Sequence, residues 1–202
     1  MGEPVVELLT LRDEPAAVAT LAAAFADYPL FAALCPDEAR RPRAVAALGR
    51  FLFCTAVRAN GAYGTADRSA IICTWPAGTE WPGTWSQFRA GGLLLLWELG
   101  WRGGRLLTRL EHEFDAARHR HVPGPHCYVP MLGVRPEMQG RGLSRAVFGP
   151  VFTAADRDRV PVYLETMTEP NVAIYTRLGF ELVGKSELTG GLPNWEMVRR
   201  PS

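Results

Sequence analysis

The fold is decided by residues 126–145, which read HCYVPMLGVRPEMQGRGLSR. An apolar β run extends from Cys127 to Val134, and Pro136 ends it because proline does not continue a strand easily. The glycine-rich segment 139–144 (QGRGLS) follows, and an apolar helical pattern begins behind it. A strand, a glycine-rich turn and a helix in this order are typical of a site that binds a phosphate-bearing cofactor.

Length and composition predict an ordinary globular protein. The chain has 202 residues, with 48% hydrophobic and 21% charged residues, and we expect one domain over residues 1–202. A net charge of +1 does not favour a nucleic-acid partner or an anionic membrane. The four cysteines are widely spaced, which favours reduced thiols in a reducing compartment. The N-terminus lacks a signal-peptide pattern, and the apolar run 91–99 is too short to span a bilayer, so we expect a cytoplasmic protein with no membrane partner.

Hydrophobic periodicity predicts a mixed α/β domain. Strands are expected at residues 5–11, 62–66, 69–75, 127–134, 161–167, 180–185 and 194–198. Helices are expected at residues 13–27, 40–59, 84–120, 143–156 and 170–178. The long Leu/Trp-rich pattern 84–120 is expected to break near Gly100 and again at residues 103–104, and Pro150 predicts a kink or a late break in the helix after the glycine turn.

The glycine turn has the features of an anion site. Gly140 and Gly142 allow backbone N–H groups to point into one concavity at the start of a helix, where the helix dipole favours an anion. Arg141 and Arg145 add positive charge, so a pyrophosphate would fit. A tight strand-to-helix turn without a ligand is the alternative. The sequence excludes a P-loop, which needs Gly-Lys-Ser/Thr, and it lacks the third glycine of a dinucleotide fingerprint.

Two motifs in order resemble the GNAT acetyltransferase superfamily. Residues 134–142 (VRPEMQGRG) resemble its motif A, V-x-P-x-x-Q-G-x-G-x-G/A, with Ser144 where Gly or Ala is commoner. Residues 164–166 and 171–180 (NVAIYTRLGF) resemble motif B. Within the superfamily, residues 21–29, 162–166 and 175–180 are similar to the puromycin N-acetyltransferases. The likeness is poor between about residues 35 and 122, so it carries over the cofactor and the reaction and not the antibiotic.

The resemblance implies a GNAT fold with a helical insert before the central strand, and acetyl-CoA as the donor. The pantetheine arm would pair with the backbone near Leu132, Gly133 and Val134, and the pyrophosphate would lie on the amides of residues 140–145. The substrate amine would then attack the thioester directly. The implied cofactor-binding residues are Leu132, Gly133, Val134, Gln139, Gly140, Arg141, Gly142, Leu143, Ser144, Arg145 and Asn171.

Four residues are the candidates for catalysis and acceptor binding. The resemblance places Tyr175 near the cofactor sulfur, where its phenol could protonate the departing thiolate; its alternative role is packing. Glu165 could accept the proton of the amine directly or through a water, or it could be a strand residue that faces solvent or pairs with an arginine. Tyr28 and Asp27 could line the acceptor site, or they could simply terminate a helix. Asn171 could cap its helix instead of binding the cofactor.

Two further features keep alternatives open. Histidines 112, 119, 121 and 126 form no ligand pattern of any strength, so a solvated helix end is expected and no metal. The Leu/Trp-rich insert 81–120, with Trp81 and Trp85, could cover the sheet, form a wall of the acceptor site or make a dimer surface. The chain could be a monomer or a homodimer.

These observations favour an N-acetyltransferase that moves an acetyl group from acetyl-CoA to a primary amine of a small molecule, possibly antibiotic-like. Three alternatives remain at this level: acetylation of a protein N-terminus or lysine, a non-catalytic acyl-CoA sensor that uses the same groove, and an interaction protein that works through the Leu/Trp-rich insert.

Overall fold

A computed structural model describes residues 4–79 and 89–202 of the chain. Its centre is a seven-stranded mixed sheet with the strand order β1-β2-β3-β4-β5-β7-β6. Strands β4 and β5 run parallel, and every other neighbouring pair is antiparallel. The strands are β1 (Val6–Leu8), β2 (Ala62–Thr65), β3 (Ala70–Trp75), β4 (Cys127–Val134), β5 (Val162–Thr166), β6 (Glu181–Leu188) and β7 (Leu192–Arg199).

Helices cover both faces of the sheet. They are α1 (Glu14–Ala24), α2 (Pro29–Leu34), α3 (Arg41–Arg58), α4 (Gly92–His121), α5 (Leu143–Asp158) and α6 (Glu169–Arg177). One core, which includes Leu21, Phe31 and Phe53, packs α1 to α4 against one face. A second core, which includes Phe148 and Phe180, packs α5 and α6 against the other. The α/β mixed-sheet class that the sequence predicted is therefore confirmed.

The parallel strands β4 and β5 separate halfway along their length. They pair at three positions, of which the last joins Val129 to Leu164. Beyond it, residues 131–134 of β4 pair with β3 alone among the described strands, and the end of β5 pairs with β7. Pro130 stands at the point of separation. Because proline has no N–H, it cannot donate to the ladder, which explains a gap at this position.

The first helical region differs from its prediction. The single helix predicted for residues 13–27 ends at Ala24, and Tyr28 and Pro29 begin a separate helix, α2. Proline at the first position of a helix loses no hydrogen bond, so Pro29 starts a helix here instead of only ending one. Strand β1 is also shorter than predicted, because Thr10 caps a 3-10 turn over Leu11–Asp13 through a reciprocal capping box.

The later helices agree in position and differ in their breaks. Gly100 breaks the geometry of α4, with φ 66° and ψ −178°, as predicted. The predicted break at residues 103–104 is wrong: Gly103 lies against the Leu34 carbonyl, where an added Cβ would stand 2.4 Å from that oxygen, so this glycine permits close helix packing. Helix α5 continues through Pro150 to Asp158. The predicted start of the insert at residue 84, and Trp81 and Trp85, lie outside the described residues.

Candidate active site

A cavity of about 250 Å³ lies where β4 and β5 separate. Its wall comes from the end of β4, the glycine turn, α6 and the end of α1. Many of the residues predicted to bind the cofactor line it, namely Leu132, Val134, Gln139, Gly140, Gly142, Leu143, Ser144 and Asn171. Tyr28 and Tyr175 line it as well. The motif residues that stand apart in the sequence are therefore brought to one site.

The glycine turn has the geometry of an anion cradle. Gly140 and Gly142 have φ values of 76° and 77°, in the left-handed region that favours glycine. An added Cβ at either position would meet no heavy atom within 4 Å, so the space before the turn is open. Gly142 is the N-cap of α5, and its residue type offers no side chain to cap the helix. The amides of the first turn of α5 thus remain available, and the site fits a pyrophosphate.

Three predicted cofactor residues do not line this cavity. Gly133 pairs with Ile71, and an added Cβ there would lie 3.0 Å from the side chains of Ala24 and Leu21, so this glycine lets α1 pack directly on β4. Arg145 donates to the Arg177 carbonyl over 2.9 Å and ties α5 to α6. Arg141 is exposed on the turn. Gly133 therefore shapes the wall through α1, and a role for the two arginines in cofactor binding stays a prediction.

A second cavity, of about 90 Å³, adjoins the first beneath α2 and α4. The two cavities share five lining residues: Phe25, Tyr28, Leu132, Asn171 and Tyr175. Apolar side chains in the wall of the second cavity include Phe31, Leu48, Leu52, Phe114 and Met131. Polar side chains also line it, among them Glu165 and Thr166 on β5 and Asn194 on β7. The second cavity therefore combines an apolar wall with polar groups from the ends of two strands.

Tyr28 is hydrogen-bonded to the end of β5, where β5 has separated from β4. Its hydroxyl accepts from the Met167 N–H over 2.7 Å and lies 3.3 Å from the Thr166 hydroxyl. Asn171 Nδ2 donates to the same Thr166 oxygen over 3.1 Å. Asn171 does not cap α6, whose N-cap residue is Thr168. Burial raises the pKa of Tyr28. These contacts fix the shared wall of the two cavities.

Tyr175 lies on α6 at the junction of the two cavities. Its ring packs edge-on against Phe148 and Phe180, with centroid separations of 6.2 and 5.8 Å. Burial raises the pKa of Tyr175 well above its ordinary value of 10.0. The phenol therefore keeps its proton at neutral pH and is available as a donor at this junction.

Glu165 lies on β5, lines the second cavity and is partly buried. Burial raises the pKa of its carboxyl to about 8, against the opposing effects of the Tyr128 hydroxyl and the Arg118 guanidinium. Its Oε1 atom is buried without a hydrogen-bond partner among the described residues. A carboxyl with this pKa can exchange a proton near neutral pH, which suits a general base.

Asp27 does not line either cavity. It borders a separate depression between α1 and α3, together with Glu38 and Arg41. Its neighbour Tyr28 turns into the site because the chain changes direction between α1 and α2. The predicted acceptor role of Asp27 is therefore not supported by its position, and an acceptor role for Tyr28, which lines both cavities, stays a prediction.

A buried polar cluster that the sequence did not predict lies next to Glu165 and Asn194, which line the second cavity. Glu196 is 1% exposed and is opposite Glu165 in the β5–β7 register. Its Oε2 lies 2.7 Å from His121 Nε2, and its Oε1 accepts from the Ser186 hydroxyl over 2.7 Å. The expectation that the histidines form a solvated helix end is wrong for His121. Gly184 makes room for this pair, since an added Cβ would stand 2.1 Å from Glu196 Oε2.

Helix α4 contributes in two ways to this region. Its second half covers the sheet, and Phe114 lines the second cavity. Glu113 accepts a hydrogen bond from the backbone N–H of Thr189 over 2.9 Å and so ties α4 to the β6–β7 turn. Its first half exposes Leu93, Trp97 and other apolar side chains. The described part of the insert, helix α4, thus covers the sheet and also lines the second cavity.

The described residues contain neither a metal-binding cluster nor a membrane-spanning helix. Between residues 4–79 and 89–202, no group of three or more His, Cys, Asp or Glu side chains is placed to hold a metal ion. Within the same ranges, no helix combines the length and apolar character needed to cross a membrane.

The chain is similar to known acetyltransferases. No family model matches it. A Schizosaccharomyces pombe protein described as an uncharacterized N-acetyltransferase is 25% identical over 205 residues, which cover 94% of this chain and 81% of that protein. A solved Corynebacterium glutamicum structure, described as histone acetyltransferase HPA2 and related acetyltransferase, superposes with a TM-score of 0.69 at 18% identity and covers 100% of this chain and 98% of its own. The Aedes aegypti arylalkylamine N-acetyltransferase 2 gives a TM-score of 0.66 at 12% identity and covers 100% of both chains.

The fold and the site define an acyl-CoA N-acyltransferase architecture: a mixed sheet, a central parallel pair that separates, and a glycine turn at the opening. Motif A at residues 134–142 and motif B at residues 171–180 border that opening. The chain is thus similar in sequence and in fold to N-acetyltransferases, in agreement with the resemblance of its two motifs to those of the GNAT superfamily. GNAT acetyltransferases use acetyl-CoA as the acetyl donor.

Proposed function

We propose that this chain transfers the acetyl group of acetyl-CoA to the primary amine of a small molecule with an apolar body. The observation that carries the proposal is the pair of adjoining cavities. One cavity extends to an open glycine turn that fits a pyrophosphate. The second, which we call the acceptor cavity, has both apolar side chains and the Glu165 carboxyl in its wall. Tyr28, Asn171 and Tyr175 border both cavities. A donor and an acceptor that entered from the two sides would meet at these shared residues.

On the donor side, the chain supplies a seat and an edge. The uncapped start of α5 and the amides around Gly140 and Gly142 would hold the pyrophosphate. The edge of β4 at residues 132–134, which β5 leaves unpaired, would hydrogen-bond the pantetheine arm as an added strand. When bound, acetyl-CoA supplies an activated thioester and a thiolate leaving group. Tyr175, which lines both cavities, would donate the proton of its hydroxyl to that thiolate.

On the acceptor side, the chain supplies an apolar chamber and a base. The side chains of Phe31, Phe114 and Met131 would contact the body of the amine. Glu165 would accept a proton from its nitrogen, because a protonated amine has no lone pair with which to attack. The raised pKa of Glu165, about 8, brings this base close to the operating pH.

Size and lining support a small acceptor over a polypeptide. The acceptor cavity measures about 90 Å³ and is covered by α2 and α4, which leaves little room for the backbone on either side of a lysine or an N-terminus. Its aromatic wall suits an aryl or alkyl group, and the similar mosquito structure is that of an arylalkylamine N-acetyltransferase. An antibiotic-like amine remains among the compounds to test, since Tyr28 falls within a segment similar to the puromycin N-acetyltransferases.

The test is a free-thiol release assay with acetyl-CoA over a panel of amines. The panel contains 2-phenylethylamine, tyramine, agmatine, spermidine and puromycin, together with a lysine-containing peptide. We expect thiol release that depends on a small amine and is reduced in Glu165→Gln and Tyr175→Phe. Preference for the peptide would indicate a protein acetyltransferase. Acetyl-CoA binding without thiol release from any acceptor would indicate a sensor and would refute the proposal.

A further inference from the structure

Three buried polar atoms on neighbouring strands have no hydrogen-bond partner in the described part of the chain. They are Tyr163 Oη and Glu165 Oε1 on β5 and Asn194 Oδ1 on β7. Tyr163 and Asn194 are each 0% exposed. An unsatisfied buried polar atom costs roughly 1–3 kcal/mol, so three of them in one place require an explanation. The Tyr163 hydroxyl is a donor and interacts with the neighbouring Glu165 carboxyl. A ligand that donates hydrogen bonds would satisfy the two acceptors, Glu165 Oε1 and Asn194 Oδ1.

The register of the sheet brings two of these residues to the same cavity. Glu165 is paired with Glu196, and Asn194 precedes Glu196 by two residues, so it projects from the same face of β7. Side chains in such a diagonal relation are within reach of a common partner. Glu165 and Asn194 accordingly both line the acceptor cavity.

The orientation of the Asn194 amide is fixed from behind. Its Nδ2 donates to Glu196 Oε1 over 3.3 Å and to Ser186 Oγ over 3.4 Å. Glu196 is a hydrogen-bond acceptor on both oxygens, because Ser186 and His121 contact them over 2.7 Å each. A reversed amide would place Asn194 Oδ1 against the carboxylate, where it would be repelled. The network therefore turns Oδ1 away from Glu196 and leaves it as an acceptor for a ligand.

Resting on the proposed function, we propose that Asn194 Oδ1 and Glu165 Oε1 together bind the amino group of the acceptor, which makes Asn194 a substrate-binding residue. A primary ammonium carries three N–H donors, and the amine that forms from it still carries two. Two fixed acceptor oxygens match this donor set. A tertiary amine or an ether offers no such donors, so the pair selects primary amines by their hydrogen-bond chemistry.

Glu196 and His121 act in this proposal as positioning residues. They do not line either cavity, and their effect is to hold the Asn194 amide in one orientation. Gly184 belongs to the same arrangement, because a larger residue would displace the Glu196 carboxylate. Substrate recognition on β7 is thus tied to the last residue of α4 and to an irregular position in β6.

The experiment compares amine binding and turnover in the wild type and in Asn194→Leu. Binding of 2-phenylethylamine, tyramine, agmatine and spermidine is measured by calorimetry in the presence of coenzyme A, and the N,N-dimethyl derivative of the best ligand is measured beside it. Thr74→Val is the matched control, since Thr74 is also buried and hydrogen-bonded but lies outside both cavities. If Asn194→Leu does not fold, Asn194→Ser replaces it.

We expect Asn194→Leu to weaken binding of the primary amine by about 10- to 100-fold, the loss of one hydrogen bond to a charged group. The preference for the primary amine over its N,N-dimethyl derivative should shrink, while acetyl-CoA affinity stays as in the wild type and in Thr74→Val. A purely structural role for Asn194 would not change that preference. Amine binding and preference that survive in Asn194→Leu would overturn the inference, as would a wild type that binds none of the four amines.

The two proposals fail in different ways. Amine binding that depends on Asn194, without any thiol release from acetyl-CoA, would support the amine site and refute the acetyltransferase proposal. Amine-dependent thiol release that is unaffected by Asn194→Leu would support the acetyltransferase and overturn the amine site.

Discussion

The charge state of Glu165 should control the rate of the proposed reaction. With a pKa of about 8, its carboxyl is half ionised near pH 8, and only about one molecule in a hundred carries the carboxylate near pH 6. If the carboxylate accepts the amine proton, kcat/KM should rise about tenfold per pH unit up to about pH 8 and then level off. Glu165→Gln should abolish this rise and lower the plateau by about 100-fold or more.

The assay must separate the titration of Glu165 from that of the substrate. An aromatic amine of low pKa, which stays neutral from about pH 6 to 9, removes the substrate from the profile. Thiol release is followed with this acceptor in the wild type and in Glu165→Gln, and acetyl-CoA binding serves as the control for a folded donor site. A wild-type profile that is flat over this range, or a Glu165→Gln variant with near-normal turnover, would refute the role of Glu165 as base.

The same pKa shift has a consequence for stability that does not depend on activity. Because the folded carboxyl has a pKa of about 8 against an ordinary value of 4.5, the folded protein binds the proton more tightly than the unfolded chain. The stability from this group is present below about pH 4.5 and is lost as the pH rises to about 8. Glu165→Gln should therefore gain in melting temperature relative to the wild type between about pH 5 and 9. A difference that does not change with pH would contradict the raised pKa.

Three further predictions concern the donor seat, the acid and the buried pair. Acetyl-CoA should raise the melting temperature by mass action, and Gly142→Val should reduce that rise because valine is strained at a φ of 77° and fills the open turn. Tyr175→Phe should keep the full acetyl-CoA-induced rise and lower kcat about tenfold or more; unchanged turnover would remove Tyr175 from the acid role. Gly184→Ala should cost about 2–4 kcal/mol and lower the melting temperature by roughly 4–16 °C, because its Cβ would displace the Glu196 carboxylate. Gly49→Ala in α3 is the control, because an added Cβ there would meet only the Leu21 side chain at contact distances of 3.4 and 3.7 Å, and it should be destabilised far less.

The donor half of the site was predictable because its determinants are local. Strand β4 has the bounds that its apolar run predicted, and the turn after it contains glycines at positions where the backbone adopts a positive φ. Each of these features depends on a few consecutive residues: a β pattern, a proline that ends it, and two glycines before a helix. The split between α1 and α2 was missed because burial of Phe31 and Leu34 against distant elements decides where α2 forms.

The acceptor half depends on contacts between residues far apart in the chain. His121 lies in a run of histidines and arginines that is typical of a solvated helix end, yet its partner Glu196 is 75 residues away. Tyr28 and Met167 are 139 residues apart, and only the folded sheet brings them together across the separated strands. Nothing near Asn194 or Gly184 in the sequence distinguishes them from ordinary strand residues. Pairing between β5, β7 and β6 gives them their roles.

The separation of β4 and β5 connects the two halves. The unpaired edge after Pro130 leaves room for a donor arm along β4, and the same gap exposes the end of β5, where Glu165 lies. Tyr28, held to the end of β5, and Tyr175 form the wall common to both cavities, so transfer between them has one place to occur. In the proposed function, the donor would be held by the local motif of the glycine turn, whereas β7 and α4 would select the acceptor. Differences in amine specificity within this fold should therefore arise from residues such as Asn194 and Phe114, without change to the glycine turn.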